Sequence, residues 1–264
     1  MLTIRAFAQT DIGLVRPRNE DSCLLHMPKE PAVLRDKGLL AVVADGVGGA
    51  MAGNLASGMA VEAVRRWYYE SADRDLPRTL CEAVIQANGE VHAKANSSLG
   101  LRGMATTLTA LVLRGEKGYL AHVGDSRAYL VRDGALRQLT EDHSLVSLMV
   151  KEGHITQEQA ASHPMRNVIL RSVGGEAAVE PDGSEFTIRA GDQVLLCSDG
   201  LHGLVPGDML LRLLQDATPE AAANDLVAAA KARGGNDNIT VIDLSVLAGR
   251  DQTRNITSSA RNGA

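Results

Sequence analysis

The sequence predicts an α+β fold, a four-layer α-β-β-α sandwich in which two antiparallel sheets face each other and helices cover their outer faces. Short apolar, β-branched runs separated by brief Gly- and Asp-containing turns predict antiparallel strands, because connections this short cannot join parallel ones. Longer stretches whose apolar residues recur at steps of three and four predict amphipathic helices, each with one face to bury against a sheet.

The first half of the chain predicts three strands followed by two helices. The strands are expected at residues 3–9, 22–26 and 39–44. Residues 28–37 carry two prolines and mixed charge, which favours a loop. Apolar spacing from Leu55 to Tyr68 predicts the first helix, and residues 78–95 predict the second, with Pro77 suited to its first turn.

The second half predicts more strands, an insert and a last helix. Alternating apolar residues predict one antiparallel meander, with strands at 107–113, 119–123, 128–131 and 136–139. Residues 142–167 break the alternation, and we interpret them as a surface insert over a cleft. Two further strands at 185–188 and 193–197, a helix from Thr218 to Gly234 and a strand at 239–246 follow. We expect residues 1–248 to form one domain and the polar residues 249–264 to be disordered.

Composition narrows the functional classes. The 264 residues suit one large domain, and because aromatic residues make up only 3%, the core must be built from Ala, Val, Leu and Met. A net charge of −5 argues against a nucleic-acid surface, and no apolar run is long enough to span a membrane. Three cysteines without CxxC spacing fit reduced thiols. We therefore expect a cytoplasmic monomer without nucleic-acid or membrane partners.

Four aspartates mark the ends of apolar runs. Asp45, Asp125 and Asp199 each follow such a run, and Asp237 lies just before the last one. Crowded carboxylates repel each other, and a divalent cation removes that repulsion. Because no Cys or His lies beside them at zinc-ligand spacing, oxygen donors favour Mg²⁺ or Mn²⁺. For any single aspartate, a simple turn after a strand is at least as good an interpretation.

Five segments occur in a fixed order along the chain. They are GLVRPRNED at residues 13–21, ADGVGG at 44–49, VGDSR at 123–127, SDG at 198–200 and GNDN at 235–238. Each is a weak signal alone. Together they resemble the metal-dependent serine/threonine protein phosphatases of the PP2C (PPM) family, bacterial branch, from about Phe7 to Val246, so the fold is expected to be PP2C-like.

The resemblance implies two Mn²⁺ or Mg²⁺ ions, with a third possible. Asp45 would bridge the two core ions, the carbonyl of Gly46 would bind one, and Asp199 and Asp237 would bind the other. Two such ions about 3.5–4 Å apart can share a water, lower its pKa and direct it at phosphorus. The water that bridges the ions is then the nucleophile, and no phosphoenzyme is needed.

Further residues take roles from the same resemblance. Glu20 and Asp21 would hold metal-bound waters, and Asp125 would bind the third ion together with Asp199. Arg16 matches the phosphate-binding arginine, whose planar fork can hold two phosphate oxygens. A surface arginine in a turn is the alternative. Catalysis is thus assigned to Arg16 and the carboxylates of Asp45, Asp199 and Asp237.

Two features depart from the motif set or lie outside it. Val47 stands where animal members carry a histidine proposed to protonate the leaving group, and this leaves a metal-bound water or the phosphate itself as the proton source. His143 and His163 border the insert 142–167, which is similar to the family's flap. Either imidazole could approach a substrate, but structural hydrogen bonding is favoured for both because neither has a defined partner.

The expected function is protein serine/threonine phosphatase, acting on phosphorylated proteins and opposing a bacterial serine/threonine kinase. Phosphorylated kinase loops and forkhead-associated-domain proteins are the substrates that the family suggests. One alternative is a catalytically silent relative that binds phosphoproteins, which loss of metal carboxylates would mark. None is lost here. Another is an enzyme acting on phosphorylated anti-sigma antagonists, which usually carries extra sensor domains.

Overall fold

The computed structural model describes residues 2–47 and 52–249, and the backbone of 261–262. The strands are β1 Leu2–Asp11, β2 Asp21–His26, β3 Leu39–Val47, β4 Ala105–Thr106, β5 Leu108–Arg114, β6 Lys117–Val123, β7 Arg127–Arg132, β8 Ala135–Gln138, β9 Asp182–Thr187, β10 Gln193–Cys197, β11 Ile239–Ala248 and β12 Arg261–Asn262. The α-helices are α1 Pro31–Lys37, α2 Ala52–Glu70, α3 Leu76–Ala95, α4 Leu145–Lys151, α5 Gln157–Ala161, α6 Asp199–His202, α7 Gly207–Leu214 and α8 Pro219–Ala232.

The strands form two sheets, which we call sheet A and sheet B. Sheet A has the order β12-β1-β11-β10-β7-β8, and sheet B has the order β2-β3-β5-β6-β9 with β4 paired to β3. All pairs are antiparallel except the short β1–β12 pair. One apolar cluster joins the two sheets, a second joins sheet B to α2 and α3, and a third joins sheet A to α6, α7 and α8. The predicted four-layer α-β-β-α sandwich is confirmed.

The alternation of side chains along β3 determines the face on which Asp45 lies. Leu39, Ala41 and Val43 pack between the sheets, whereas Leu40 and Val42 pack toward the helices. Because successive side chains of a strand point to opposite faces, Asp45 continues the face that lies between the sheets. A strand that is apolar on both faces thus ends with a carboxylate at the rim of the inter-sheet layer.

The predicted four-stranded meander is wrong, because the chain changes sheets between β6 and β7. β5 and β6 pair in sheet B, whereas β7 and β8 pair in sheet A. Gly124 makes the crossing with φ of +108°, a conformation that disfavours a side chain, and a Cβ there would lie 2.6 Å from Thr107 Cβ. The crossing leaves Asp125 at the rim, between one strand of each sheet.

Other differences concern local elements. Residues 31–37 are helical where we expected a loop, since Pro31 occupies the first helical position, where its missing N–H costs nothing. The amphipathic helix α7, which buries Leu210 and Leu214, was not predicted. The predicted Thr218 cap is confirmed, because its side chain accepts a hydrogen bond from Ala221 N. Residues 250–260 and 263–264 of the tail lie outside the described residues, so its disorder and the single domain 1–248 stay predictions.

A carboxyl group is buried in sheet A far from the strand ends. Asp243 of β11 has no exposed surface and pairs in register with Phe7 and Leu195. Its Oδ2 accepts a hydrogen bond from Gln193 Nε2 at 2.7 Å, whereas its Oδ1 has no partner among the described residues. Burial, above all, raises the pKa of Asp243 to about 7.

Cys23, Cys81 and Cys197 are free thiols, as the sequence predicts. Among the described helices, none combines the length and the apolar character needed to cross a membrane.

Candidate active site

A cleft of about 180 Å³ opens at the end of the sandwich where strands of both sheets terminate. It is lined by Arg16, Glu20, Asp45, Gly46, Val47, Asp125, Asn167, Ile169, Asp199, Asp237 and Asn238. The structure therefore brings together every residue predicted to bind metal or phosphate except Asp21, which is buried and is not among the lining residues.

Asp21 and Asp45 form a like-charged pair across two strands. They are register partners in β2 and β3, an arrangement that is unfavourable when both groups are ionised. Asp21 is buried, and its Oδ2 accepts a hydrogen bond from Ser198 Oγ of the other sheet at 2.7 Å. Burial raises the pKa of Asp21 to about 7. Burial, followed by the charges of Asp21 and Asp199, raises the pKa of Asp45 well above its ordinary value.

Asp199 and Asp125 line the same cleft as Asp45. Asp199 is the first residue of α6, directly after β10, and burial and the charge of Asp237 raise its pKa. Asp125 is only 7% exposed, and its pKa is raised to about 7 by burial and then by Asp199. The cleft thus concentrates negative charge where water screens it poorly.

Arg16 supplies positive charge to this cluster. Its Nη2 donates a hydrogen bond to Asp237 Oδ2 at 2.6 Å, which raises the pKa of the guanidinium. The Arg16 side chain remains 48% exposed, so part of its fork faces solvent. The other oxygen of Asp237 accepts a hydrogen bond from Asn238 N at 2.9 Å.

Asn238 organises the loop that carries Arg16 and Glu20, a role that the sequence did not reveal. Its side-chain amide donates to the carbonyls of Ile12 and Arg18, both at 2.9 Å, and its Oδ1 accepts from Glu20 N at 2.8 Å. The signal available in the sequence was its place beside Asp237 in the segment GNDN. A short polar side chain that satisfies three backbone groups at once is difficult to anticipate from spacing.

Gly46 fits where the backbone is tightly packed. A Cβ at Gly46 would collide with the carbonyl of Gly53 in α2 and lie 2.5 Å from Glu20 O. Gly46 N also donates to Glu20 O at 3.1 Å. Glycine here brings β3, the first turn of α2 and the Glu20 loop into contact.

The chemistry of these donors fits a hard cation. Asp21, Asp125 and Asp199 each have a buried Oδ1 without a hydrogen-bond partner in the described part of the chain, which is costly unless a positive charge compensates. No three Asp, Glu, His or Cys side chains of residues 2–47 and 52–249 are already arranged as a ligand set. A divalent cation bound among these carboxylates would compensate their charge.

The insert 142–167, called the flap segment below, covers a second cavity of about 430 Å³ beside the cleft. Helices α4 and α5 form one wall, and the two cavities share Asp125, Asn167 and Asp199. The cavity lining also contains the ion pair of Arg127 with Asp142, whose atoms Nη2 and Oδ2 are 2.6 Å apart. The described flap segment therefore contributes Asn167 directly to the cleft.

The two histidines near the ends of the flap segment, His143 and His163, have structural hydrogen bonds. His163 Nδ1 accepts from Met165 N at 3.1 Å. His143 is buried and accepts from Gly124 N at 3.1 Å, so the structural hydrogen bonding favoured from the sequence is confirmed. Neither residue is among those that line the cleft.

Comparison with known proteins identifies the family. The family model described as protein phosphatase 2C matches residues 18–233. The chain belongs to this family. It is 41% identical over 246 residues to serine/threonine protein phosphatase PstP of Mycobacterium tuberculosis, covering 93% of this chain and 46% of that protein. The chain thus spans about half the length of that relative.

Two further matches cover most or all of the protein or solved chain that they match. Serine/threonine phosphatase stp of Listeria innocua is 37% identical over 239 residues, which cover 89% of this chain and 92% of that protein. A crystal structure of the PstP catalytic domain in complex with two manganese ions has a TM-score of 0.82 and 38% identity, covering 94% of this chain and all of that one. The fold predicted from the sequence is that of this family.

Proposed function

We propose that this chain is a metal-dependent protein serine/threonine phosphatase that hydrolyses phosphoserine and phosphothreonine monoesters. The observation that carries the proposal is the convergence of Asp45, Asp199 and Asp237 from both sheets on one cleft that also contains Arg16. The manganese-containing PstP structure supports Mn²⁺ or Mg²⁺ as the cofactor. When bound, two such ions would lower the pKa of a shared water and neutralise charge that develops on the phosphoryl group.

The acidic residues would have two roles, direct binding of the ions and binding of water on the ions. Asp45, Asp199 and Asp237, with the Gly46 carbonyl, would hold the core ions, and Asp125 with Asp199 would hold a third. Glu20 lines the cleft and Asp21 lies behind it, which suits the assignment of both to metal-bound water. Asp21 also joins the sheets through Ser198.

Arg16 would orient the phosphate. Its guanidinium has five N–H donors in a planar fork, and one hydrogen bond to Asp237 leaves others for phosphate oxygens. Asp237 thereby holds the guanidinium at the edge of the cation cluster, where a phosphate must sit to be attacked. Lysine, with a single point of charge, would orient it less well.

The leaving alkoxide needs a proton, and the cleft contains no histidine among its described lining residues. Val47 lines the cleft and has no proton to give. The ring of His143 is engaged by Gly124 and lies outside the cleft. A metal-bound water or the phosphate itself would therefore supply the proton.

Phosphorylated proteins are the proposed substrates, and a serine/threonine kinase is the proposed opposing partner. The relatives named serine/threonine phosphatase support the substrate class. We further propose that residues 1–248 act as one phosphatase domain in the cytoplasm, as a monomer. The catalytically silent alternative is not favoured, since every carboxylate of the motif set is retained.

The test is Mn²⁺-stimulated hydrolysis of p-nitrophenyl phosphate and of a phosphothreonine peptide. We expect EDTA to abolish the activity and Asp199→Asn to lower turnover at least about 100-fold while the circular dichroism spectrum is retained, because the change removes ligand charge without core volume. Asp225→Asn, at an exposed position of α8, is the matched control and should leave the rate unchanged. A folded Asp199→Asn variant with the wild-type rate would refute the proposal.

A further inference from the structure

The loop that carries Asp125 is held from several directions. Ser126 Oγ lies 2.7 Å from Thr107 Oγ1, and Thr109 Oγ1 donates to Ser126 O at 3.1 Å. On the other side of the loop, His202 Nε2 lies 2.9 Å from Asp125 O. These contacts hold the backbone of Asp125 and Ser126, after Gly124. The polar groups of Gly124 itself are bound by another residue.

His143 holds Gly124 with two hydrogen bonds. Its backbone N–H donates to Gly124 O at 2.7 Å, and its Nδ1 accepts from Gly124 N at 3.1 Å. The side chain is 6% exposed, and its ring packs 4.9 Å from the ring of His122. Both polar groups of Gly124 are thus satisfied by a single residue, immediately before Asp125.

The ring of His143 can accept from Gly124 only in one tautomer. Nδ1 must be unprotonated, so Nε2 carries the hydrogen. Asp182 Oδ2 lies 3.2 Å from Nε2 and accepts that hydrogen. Arg171 Nη1 donates to Asp182 Oδ1 at 2.8 Å, which holds the carboxylate in place. The 3.3 Å approach of Arg171 Nη1 to Nε2 then joins two donors and contributes no hydrogen bond.

The same histidine closes the base of the flap segment. Its carbonyl accepts a hydrogen bond from Leu170 N at 2.7 Å, just beyond the end of that segment. Next to it, Leu145 N donates to Val168 O at 2.9 Å. His143, at the start of the flap segment, therefore contacts both the Asp125 loop and a residue just beyond the end of that segment.

We propose that His143 is a positioning residue that, held by Asp182 and Arg171, fixes the Asp125 carboxylate for cation binding and couples it to the base of the flap segment. The inference rests on the proposed function and adds to it three side chains outside the cleft. Partners that orient a metal ligand from behind typically change metal affinity by about 10–100-fold when removed. The effect is expected only for the cation that depends on Asp125.

The test measures Mn²⁺ binding directly, by isothermal titration of metal-free protein. We expect His143→Leu to weaken the Asp125-dependent binding step about 10-fold or more and to leave the tighter steps unchanged. His143→Asn should restore much of the loss, because its Oδ1 can take the place of Nδ1 as acceptor. His154→Asn, at an exposed position between α4 and α5, is the control and should bind like the wild type.

Asp182→Ala and Asp125→Asn test the same inference at two other residues. If His143→Leu does not fold, Asp182→Ala alters a half-exposed side chain and should weaken the same step. In an Asp125→Asn background, His143→Leu should have no further effect on Mn²⁺ binding. Unchanged binding in the His143 and Asp182 variants, or a wild-type titration that Asp125→Asn does not alter, would overturn the inference. Absence of Mn²⁺-stimulated hydrolysis in the wild type would instead overturn the proposed function.

Discussion

Replacing Asp243 by asparagine should make the protein more stable at neutral and alkaline pH. The carboxyl is fully buried, accepts one hydrogen bond from Gln193, and has its pKa raised from 3.8 to about 7 by burial. Between these values the native state binds a proton that the unfolded state has released, so the free energy of unfolding falls as pH rises. The stabilising contribution is complete below about pH 4 and is lost as pH passes through about 7.

The pKa gives the size of the effect. At about 1.4 kcal/mol for each pKa unit, the interval from 3.8 to about 7 corresponds to about 4 kcal/mol. Asparagine is neutral at every pH and keeps an acceptor for Gln193 Nε2. The variant should therefore match the wild type near pH 4 and exceed its free energy of unfolding by up to about 4 kcal/mol near pH 8.

Urea unfolding in EDTA, followed by circular dichroism from about pH 4 to pH 8, measures both proteins under conditions in which only Asp243 differs. Asp225→Asn is the control at an exposed position and should show no pH-dependent difference from the wild type. A constant difference between Asp243→Asn and the wild type across this range would refute the reasoning, as would a variant that is less stable near pH 8.

Three further predictions concern single contacts. Tyr68→Phe should lower the free energy of unfolding by about 1–2 kcal/mol, measured by urea unfolding, because the buried hydroxyl donates to Lys37 O at 2.6 Å. Arg127→Met should cost about 3 kcal/mol by the same assay, since it leaves the largely buried Asp142 without its ion-pair partner, and adding Asp142→Leu should recover part of the loss. Gly46→Ala should lose both stability and Mn²⁺-dependent turnover through collision with Gly53, whereas Gly89→Ala, on the open surface of α3, should raise stability by about 0.5–1 kcal/mol.

The layers and the cleft could be predicted because both follow from local pattern. Apolar runs placed the strands, and three-and-four spacing placed α2, α3 and α8. β3 and β6 run in the same direction because both pair antiparallel with β5, so their carboxyl ends share one rim. The end of β10 and the start of β11 likewise lie together, because these two strands are antiparallel. Residues 45, 125, 199 and 237 therefore met as the sequence indicated.

The remaining features depend on contacts between distant residues. A short Gly-containing turn has the same sequence pattern whether the next strand pairs with the preceding one or crosses to the other sheet. The crossing at Gly124 was therefore not predicted. The roles of Asn238 and His143 are fixed by backbone groups far away in sequence. Alternation and spacing carry no information about such partners.

The acidic cluster also bears on how the two sheets are held together, because its members belong to different sheets. Asp45 is anchored in sheet B, whereas Asp199 and Asp237 adjoin strands of sheet A. A cation held by these carboxylates would link the two sheets at this rim and would offset the repulsion between their charges. Melting temperature should consequently track divalent-ion concentration even in a variant that has lost all turnover.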